Sequence, residues 1–576
     1  MSPLELDFDS CYRAVAARDA RFDGRFYTAV TTTRIYCRPI CPARTPASRN
    51  VRFYRHAASA EAAGFRPCKR CRPELSPGDP GWDVRGDLIG RALRLIDDGA
   101  ADDHGVSGLA SRLHITERHL HRLFVAELGV GPLAVARTKR LLLAKQLLTE
   151  TALPVTDVAF ASGFGSVRQF NATMRETYGF TPSELRATAG GPATRRPASP
   201  RSALLETTPR AAPPGTPAAG RTTQTSTPTD SRTTQTSTPT DSRTTQTARP
   251  LDGGDPARTA TLDGDLVTRA GAAAHGRTTP SPQNGHPEGA SPTALPVSSL
   301  RLRLHRRDPY DAEAVLAFLA SRAIPGLEAA DRFSYSRAVP GGTVTLTPQG
   351  GHIALDVAVD DTRQLARVVA RCRRLLDLDA DPIAIAEALG QTSLAPLVEA
   401  RPGLRVPGTF DGFELAVRAV VGQQISVAGA RTLLGRIVAR AGRLLVPPPS
   451  MAPGPALTHL FPGPAELLQA DLEGLGLTSR RVATLKELAA RTTAGQLDLD
   501  GGQDPAEAVA ELVDVPGIGP WTASYIALRA LRDPDAWPTG DLVLTKRMAA
   551  LGIPDDHIER WRPWRAYAAL HLWSSS

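Results

Sequence analysis

The sequence is poor in cysteine and has no long apolar segment. Six cysteines in 576 residues are too few for the disulfide framework typical of small secreted domains. No apolar run reaches the roughly 20 residues of a transmembrane helix, and the opening M-S-P-L-E-L-D-F-D is acidic rather than signal-like. We therefore expect a soluble, cytoplasmic chain of several domains that makes no contact with a membrane.

Lysine is also scarce, at five residues, but arginine is abundant and the formal net charge is +9. Residues 1–186 hold 27 Lys and Arg against 20 Asp and Glu, a net charge of +7. Because a positive surface attracts phosphate, this charge indicates a nucleic acid as the partner.

Four of the six cysteines form two close pairs, Cys37 with Cys41 and Cys68 with Cys71, and 26 residues separate the pairs. Two short Cys-x(2–3)-Cys turns supply the four thiolates that a tetrahedral Zn²⁺ prefers. The spacing therefore predicts one zinc site made of four cysteines, and buried cysteines are the alternative. Basic residues flank both pairs and either bind phosphate or form only a solvated face: Arg34, Arg38, Arg44, Arg49, Arg52, Arg55, Arg66, Lys69, Arg70 and Arg72.

Residues 84–187 have helical periodicity throughout. The stretch V-S-G-L-A-S-R-L-H-I-T-E-R-H-L-H-R-L-F predicts a short helix, a turn and a second helix. A similar unit begins at P-V-T-D-V-A-F, and a connecting helix is predicted from Arg137 to Leu148. The second helix of each unit turns apolar residues inward and places these polar residues outside: Arg118, Arg122, Arg168 and Gln169. Two helix-turn-helix units could thus enter two major grooves; a plain helical bundle is the alternative.

Residues 188–296 are rich in Thr, Ser, Pro, Gly and Ala, and R-T-T-Q-T-S-T-P-T-D-S occurs at 221–231 and again at 232–242. Such a composition cannot bury enough apolar area to offset chain entropy, so we predict a disordered linker. A linker of this length predicts that the two halves act independently.

Beyond the linker, residues 297–400 alternate strand and helix patterns, and residues 401–576 are helical. The turn P-G-I-G contains Gly517 and Gly519 between two helices, where glycine lets backbone N–H groups approach a DNA phosphate. Trp521 and Tyr525 follow the turn, and Asp541 lies twenty residues after Trp521. The tryptophans are either pocket residues or core; Trp561 and Trp564 are expected in the core.

The cysteine region T-R-I-Y-C-R-P-I-C-P-A-R and F-R-P-C-K-R-C-R-P-E resembles the amino-terminal domain of the Ada adaptive-response family over residues 8–75. The resemblance implies that Cys37 accepts a methyl group irreversibly from a DNA methylphosphotriester, with Cys41, Cys68 and Cys71 as the remaining zinc ligands. Methylation of one thiolate changes the formal charge of a zinc centre with four thiolates from −2 to −1. The loss of one charge about 8 Å from a phosphate would tighten DNA binding by roughly 2 kcal/mol. The alternative is a zinc ion with only a structural role.

The paired helical units, closing on Y-G-F-T-P-S-E-L-R, resemble the AraC family of DNA-binding domains. Residues 297–574 resemble the helix-hairpin-helix glycosylases of the AlkA 3-methyladenine type, including W-R-P-W-R-A-Y-A-A-L-H-L-W near the carboxyl terminus. This resemblance implies a catalytic Asp541 and a base pocket of Trp521, Tyr525 and Trp573. Pro520 and Trp521 stand where lyase relatives carry lysine, and Gln424 stands where some relatives insert a leucine into the duplex.

The expected fold is multidomain α+β, in five parts. They are a small zinc α+β module (1–80), an all-α AraC-type double helix-turn-helix (84–187), the disordered linker (188–296), a TATA-binding-protein-like α+β domain (297–400) and an all-α helix-hairpin-helix glycosylase domain (401–576).

The expected function is twofold: activation of repair genes after methyl transfer to Cys37, and removal of alkylated purines as a monofunctional glycosylase. Promoter DNA and damaged double-stranded DNA are the expected partners, with RNA polymerase after methylation. We expect a monomer associated with the nucleoid. The alternative is a transcription regulator whose second half binds DNA without catalysis.

Overall fold

A computed structural model describes residues 6–78, 88–188, 299–446 and 457–575. All of these residues belong to one compact unit of the fold, which comprises residues 1–196 and 293–576. Nearly all of the predicted linker lies outside the described residues. No described helix is both long enough and apolar enough to cross a membrane.

The zinc module is a four-stranded sheet with one helix before the sheet and one within it. Its strands are β1 (Tyr27–Val30), β2 (Ile35–Cys37), β3 (Val51–Tyr54) and β4 (Arg66–Pro67), in the spatial order β3-β1-β2-β4. Its helices are Phe8–Ala17 and Ala57–Ala62. Strand β4 pairs with β2 in parallel, and the N–H of Cys68 donates to the carbonyl of Tyr36 over 2.9 Å. This pairing brings the second cysteine pair beside the first.

Seven helices follow in the part of the chain from residue 88 to residue 188. They are Leu88–Asp97, Ala100–Arg112, Glu117–Leu128, Pro132–Glu150, Val155–Ala161, Val167–Tyr178 and Pro182–Thr188. We name Glu117–Leu128 and Val167–Tyr178 the first and second recognition helices, and Pro132–Glu150 the connecting helix.

The two recognition helices are built alike. Each begins at a hydroxyl N-cap, Thr116 or Ser166, whose side chain accepts an N–H of the first turn. Each ends at a glycine and packs fully buried apolar side chains inward, as predicted: Leu120, Phe124, Phe170 and Met174. The connecting helix begins five residues before the predicted Arg137, because Pro132 at its first turn suits a helix start.

The next domain is a five-stranded antiparallel sheet with two main helices. The strands are β5 (Leu300–His305), β6 (Glu328–Ala330), β7 (Tyr335–Val339), β8 (Gly342–Gln349) and β9 (His352–Val359), in the order β5-β9-β8-β7-β6. The helices are Ala312–Arg322 and Leu365–Leu375, and shorter helices at Pro382–Leu389 and Ala395–Ala400 lead out of the domain. Cys372 is fully buried.

The last domain is all helical. Its helices are Gly412–Val421, Val427–Ala441, Pro464–Gln469, Ser479–Thr493, Pro505–Val513, Pro520–Arg529, Leu542–Ala550 and Arg565–Ser574. They share one large apolar core, which includes Trp561 at 1% exposure. Trp564 is partly buried, packs against that core, and meets the Tyr567 ring edge-on at 5.7 Å. The predicted division into α+β and all-α parts is confirmed.

The two halves of the chain contact one another, which the predicted linker did not suggest. Residues 88–188 and 299–410 contribute to a single buried apolar cluster. Ion pairs such as Arg112–Asp498 and Arg374–Asp98 join them as well. The expectation of independent halves therefore does not describe this structure.

Candidate functional site

The four predicted zinc ligands meet in space. The sulfur atoms of Cys37, Cys41, Cys68 and Cys71 all lie within 4.8 Å of one another. Four thiolates at about 2.3 Å from one ion require sulfurs this close, so the donor set fits a tetrahedral Zn²⁺. The prediction of one zinc ion held by cysteine is confirmed by this cluster together with the family match reported below.

The four sulfurs differ in their surroundings. The N–H of Arg70 donates to Cys68 Sγ over 3.4 Å, and the N–H of Arg38 donates to Cys71 Sγ over 3.3 Å. Within the described part of the chain, no such donor reaches Cys37 Sγ, and Cys37 and Cys41 are both partly exposed while Cys68 and Cys71 are buried. The geometry therefore leaves Cys37 and Cys41 as the two more accessible sulfurs, and a thiolate that accepts no such hydrogen bond keeps more of its charge.

The basic residues around the cysteines divide into two groups. Some are structural: Arg38 pairs with Asp23 where both are buried, and Arg72 binds Glu74 and Glu150 over 2.9 Å and 3.1 Å. Arg55 is half-buried and lies 3.8 Å from Glu127. The remaining seven are exposed and can face phosphate: Arg34, Arg44, Arg49, Arg52, Arg66, Lys69 and Arg70. Their exposure is compatible with both expectations, phosphate binding and a solvated face.

A buried carboxylate joins the zinc module to the double helix-turn-helix. Glu61 accepts hydrogen bonds from Tyr36 over 3.0 Å, from Thr138 over 2.6 Å and from Tyr178 over 3.5 Å. Tyr36 precedes Cys37, Thr138 lies on the connecting helix, and Tyr178 ends the second recognition helix. Burial raises the pKa of Glu61 to about 7, even though the three hydroxyl donors lower it. No pattern in the sequence marked this residue.

A second contact fixes the cysteine loop on the connecting helix. The Lys145 ammonium donates to the carbonyl of Cys68 over 3.1 Å and to the Glu74 carboxylate over 2.6 Å. Both charged side chains are almost fully buried. The zinc ligands are thus held directly against the DNA-binding helices.

The predicted DNA-reading side chains all reach the surface. Arg118 and Arg122 are exposed on the first recognition helix, and Arg168 and Gln169 on the second. Arg122 hydrogen-bonds the ring of His119 over 3.0 Å, which leaves its other guanidinium nitrogens available. Two exposed polar faces on matched helices suit two major grooves.

The carboxyl-terminal site is an aromatic cluster around one carboxylate. The rings of Trp521 and Tyr525 stack at 5.4 Å with 7° between their planes, and Trp573 meets Tyr525 edge-on at 6.5 Å. Trp521 Nε1 donates to Asp541 Oδ2 over 2.8 Å, and Trp573 Nε1 donates to Asp541 Oδ1 over 3.3 Å. The structure therefore brings together all four residues that the sequence predicted.

Asp541 has a second task as the N-cap of the helix Leu542–Ala550. Its Oδ1 accepts the N–H groups of Val543 and Leu544 over 2.9 Å and 2.8 Å. Three donors thus use Oδ1, whereas Trp521 is the one described donor to Oδ2. Oδ2 keeps lone-pair capacity for a substrate.

Three residues that sequence reasoning missed surround the aromatic cluster. Arg529 donates to the Tyr525 hydroxyl over 3.0 Å and is held by the carbonyls of Pro407 and Gly408. Its guanidinium lies 4.7 Å from the centre of the Phe318 ring, and that of Arg322 lies 3.8 Å from the same ring. Burial would raise the pKa of Tyr525, but Arg529 and Arg322 lower it below its usual value.

The hairpin and Gln424 lie side by side. Gln423 donates through Nε2 to the carbonyl of Gly517 over 3.0 Å, and Gln424 is exposed with a φ of 57°. Gly517 has a φ of 95°, and a Cβ there would lie 2.2 Å from Thr484 Oγ1, so only glycine fits. Gly519 follows as the N-cap of the helix Pro520–Arg529. The hairpin and the Gln424 turn are therefore neighbours in the fold.

Three family models match the chain. Residues 10–74 match the metal binding domain of Ada, residues 109–188 a helix-turn-helix domain, and residues 301–411 the AlkA N-terminal domain. The fold and the two sites, taken with these matches, define a class of protein in which a zinc-containing DNA-binding regulator is joined to a DNA-repair glycosylase.

One relative matches this chain along almost its whole length and identifies the family within this class. Over 99% of its length the chain is 40% identical to a probable bifunctional transcriptional activator/DNA repair enzyme AlkA of Mycobacterium tuberculosis, of which the match covers 96%. The chain belongs to this family of bifunctional Ada/AlkA proteins.

Each half also has a separate relative. DNA-3-methyladenine glycosylase 2 of Escherichia coli is 35% identical over 47% of this chain and 95% of that relative. The bifunctional transcriptional activator/DNA repair enzyme Ada of Escherichia coli is 37% identical over 31% of this chain and 49% of that relative. The resemblances to both families are confirmed.

Proposed function

We propose that the protein detects DNA alkylation, activates the genes that repair it, and itself excises alkylated bases. The amino-terminal half would take a methyl group onto Cys37 and bind promoter DNA through its paired recognition helices. The carboxyl-terminal half would hydrolyse the N-glycosidic bond of a 3-methyladenine-type purine. The observation that carries the enzymatic half is one carboxylate, Asp541, bound by two indole N–H groups in an aromatic pocket.

Methyl transfer needs an accessible thiolate. Cys37 Sγ attacks the methyl carbon of a methylphosphotriester, so that a carbon–sulfur bond forms, the carbon–oxygen bond breaks, and the phosphodiester leaves with its negative charge. Zinc, when bound by the four cysteines, keeps the thiol deprotonated at neutral pH. The exposed arginines and Lys69 around the cluster would hold the DNA backbone. The thioether is stable, so each protein would react once.

Base excision needs a flipped nucleotide and a stabilised sugar cation. The hairpin glycines and the Gln424 turn would hold the distorted duplex, since the anomeric carbon is shielded until the base leaves the stack. The faces of Trp521, Tyr525 and Trp573 attract a cationic alkylpurine by about 0.5–2 kcal/mol each. Asp541 Oδ2 would stabilise the oxocarbenium-like sugar and orient water; the base leaves with the bonding electrons and becomes neutral.

We further infer that excision stops at the abasic site. Strand cleavage through a Schiff base requires a lysine amine at the sugar, and Pro520 and Trp521 occupy the hairpin position. The Lys486 amine donates to the carbonyls of Leu467 and Leu468 over 3.0 Å and 2.7 Å, so its protons are already used in hydrogen bonds within the protein. The enzyme would therefore be monofunctional.

We also infer the arrangement and partners. The five predicted domains, 1–80, 84–187, 188–296, 297–400 and 401–576, would form one monomeric chain that binds promoter DNA and damaged DNA. The methylated protein would contact RNA polymerase. Abasic sites formed in methylated DNA, together with tighter promoter binding after methylation at Cys37, are the expected results. Promoter binding without any abasic sites would favour the regulator that lacks catalysis.

A further inference from the structure

Ion pairs cross between the amino-terminal half (residues 6–188) and the glycosylase half (residues 299–575). Arg112 binds Asp498 through two nitrogens over 2.7 Å and 3.0 Å, and Arg374 binds Asp98 over 3.0 Å. Arg25 binds Asp381, whose side chain is only 2% exposed. An aspartate so buried would be costly without its arginine, so these pairs depend on contact between the halves. We name this contact surface the seam.

The seam is apolar as well as ionic. The buried cluster that contains Leu141, Leu147 and Phe170 continues into Leu302 and Leu304 of β5. At the edge of this cluster, Glu150 of the connecting helix accepts the N–H and the guanidinium of Arg303, each over 3.1 Å. A surface with an apolar centre and a paired polar rim has the composition of a specific protein interface.

One residue links the seam to the zinc ligands. Arg307, almost fully buried, donates to the carbonyls of Asp23 and Gly78 on the amino-terminal half over 2.6 Å and 2.7 Å, and to the carbonyl of Asp379 over 2.5 Å on its own half. The Asp23 carboxylate binds the Arg38 guanidinium, with both side chains buried. Arg38 in turn donates its backbone N–H to Cys71 Sγ over 3.3 Å.

We propose that the glycosylase half is a docked partner of the zinc module, and that its docking through Arg307 and the retention of zinc by the four cysteines stabilise each other. Docking fixes Asp23, Asp23 fixes Arg38, and Arg38 supports the Cys71 thiolate. Coupling between two sites is reciprocal, so zinc removal must also loosen the seam. This coupling requires neither methyl transfer nor base excision, and its failure would leave the proposed function untouched.

Zinc release from the full chain into excess chelator tests the coupling. We expect the Arg307→Ala variant to lose zinc at least about fivefold faster than the unchanged protein, since hydrogen bonds to a charged group are lost at the seam. Arg301→Ala is the matched control, because Arg301 lies on β5, six residues before Arg307, is exposed, and binds Asp356 of its own domain. Equal release rates for Arg307→Ala and Arg301→Ala would overturn the proposal.

A second pair of variants, at Asp381 and Arg25, keeps the proposal testable if Arg307→Ala fails to fold. Asp381 uses Oδ1 to cap the helix Pro382–Leu389 and Oδ2 to bind Arg25, so Asp381→Asn keeps the cap and removes the ion pair. We expect Asp381→Asn and Arg25→Ala each to speed zinc release, and the double variant to be no faster than either, because both remove one contact. Additive effects, or no effect from either, would contradict the proposed docking.

Discussion

Trp521 donates its indole N–H to Oδ2 of Asp541 over 2.8 Å. The same indole stacks on Tyr525, so one side chain both belongs to the aromatic cluster and aligns the carboxylate. The backbone N–H groups that Asp541 caps occupy its other oxygen. The cap and the tryptophan together fix the orientation of the carboxylate before any substrate binds, which is the preorganisation that electrostatic catalysis requires.

Replacement of Asp541 by asparagine removes the negative charge and retains the N-cap. Asparagine is as good an N-cap as aspartate, so Asp541→Asn should unfold at nearly the same temperature as the unchanged protein. The loss of the negative charge beside the sugar cation should lower the rate of base release at least about a hundredfold. Release of free base from methylated DNA, measured under single-turnover conditions, checks this.

Asp541→Ala is the informative comparison. It removes the cap as well and should cost about 1 kcal/mol of stability, while base release falls as far as in Asp541→Asn. Base release by Asp541→Asn at the unchanged rate would rule out a catalytic role for the carboxylate.

Replacement of Trp521 by phenylalanine retains an aromatic ring and removes the N–H donor. A hydrogen bond to a charged group is worth about 1.5–3 kcal/mol, so kcat should fall roughly tenfold to a hundredfold. KM should change little, because the phenylalanine ring still offers an aromatic face to the base. Trp564→Phe is the control, since Trp564 packs on Tyr567 rather than on Asp541; an equal loss in both variants would indicate a general packing effect.

Glu61 predicts a pH dependence of stability. Its pKa is raised from 4.5 to about 7 in the folded protein, so the folded state binds the proton more tightly than the unfolded state does. The contribution is complete below about pH 4.5 and is lost as the pH rises through about 7. Between these limits the unchanged protein should lose up to about 3 kcal/mol of unfolding free energy relative to Glu61→Gln.

Urea unfolding at several pH values measures this difference. Glu176→Gln removes a carboxylate that is 72% exposed on the second recognition helix, and it should leave the pH profile unchanged. A Glu61→Gln profile parallel to that of the unchanged protein would show that Glu61 does not titrate in this range.

The absence of lyase chemistry predicts the outcome of borohydride trapping. Borohydride reduces a Schiff base between a lysine and the sugar to a stable covalent complex, and no such complex should form with methylated DNA. The abasic product should stay intact until alkali cleaves it. A trapped complex that disappears in Lys546→Arg would instead identify Lys546, on the helix capped by Asp541, as an unexpected nucleophile.

Spacing in the sequence predicted much of both sites. Two short cysteine turns were sufficient for Cys37, Cys41, Cys68 and Cys71, because a zinc site demands four sulfurs in a fixed geometry. The helix caps Thr116 and Ser166 and the buried stripes that follow them are local signals, and those helices form as predicted. The roles of Trp521, Tyr525, Trp573 and Asp541 came from the resemblance to the AlkA-type glycosylases, because their spacing alone is compatible with core packing.

Contacts between residues that are far apart in the sequence left no local pattern from which they could be predicted. Phe318, from a separate domain about 200 residues away, lies against Arg529, which donates to the Tyr525 hydroxyl. Arg38 and Arg44 look alike in the sequence, yet one is buried against Asp23 and the other is exposed. The seam was missed for a related reason: a long low-complexity segment permits independent halves but does not prevent their surfaces from matching.

The most direct test of the combined function is intact-mass analysis of the protein after incubation with methylated DNA, with free base measured in the same sample. We expect one added methyl group, located on Cys37, together with released alkylated purine. Cys37→Ser should lose only the protein methylation, and Asp541→Asn only the free base. A methyl group found on another cysteine, or base release that is lost in Cys37→Ser but retained in Asp541→Asn, would contradict the assignment of the two sites.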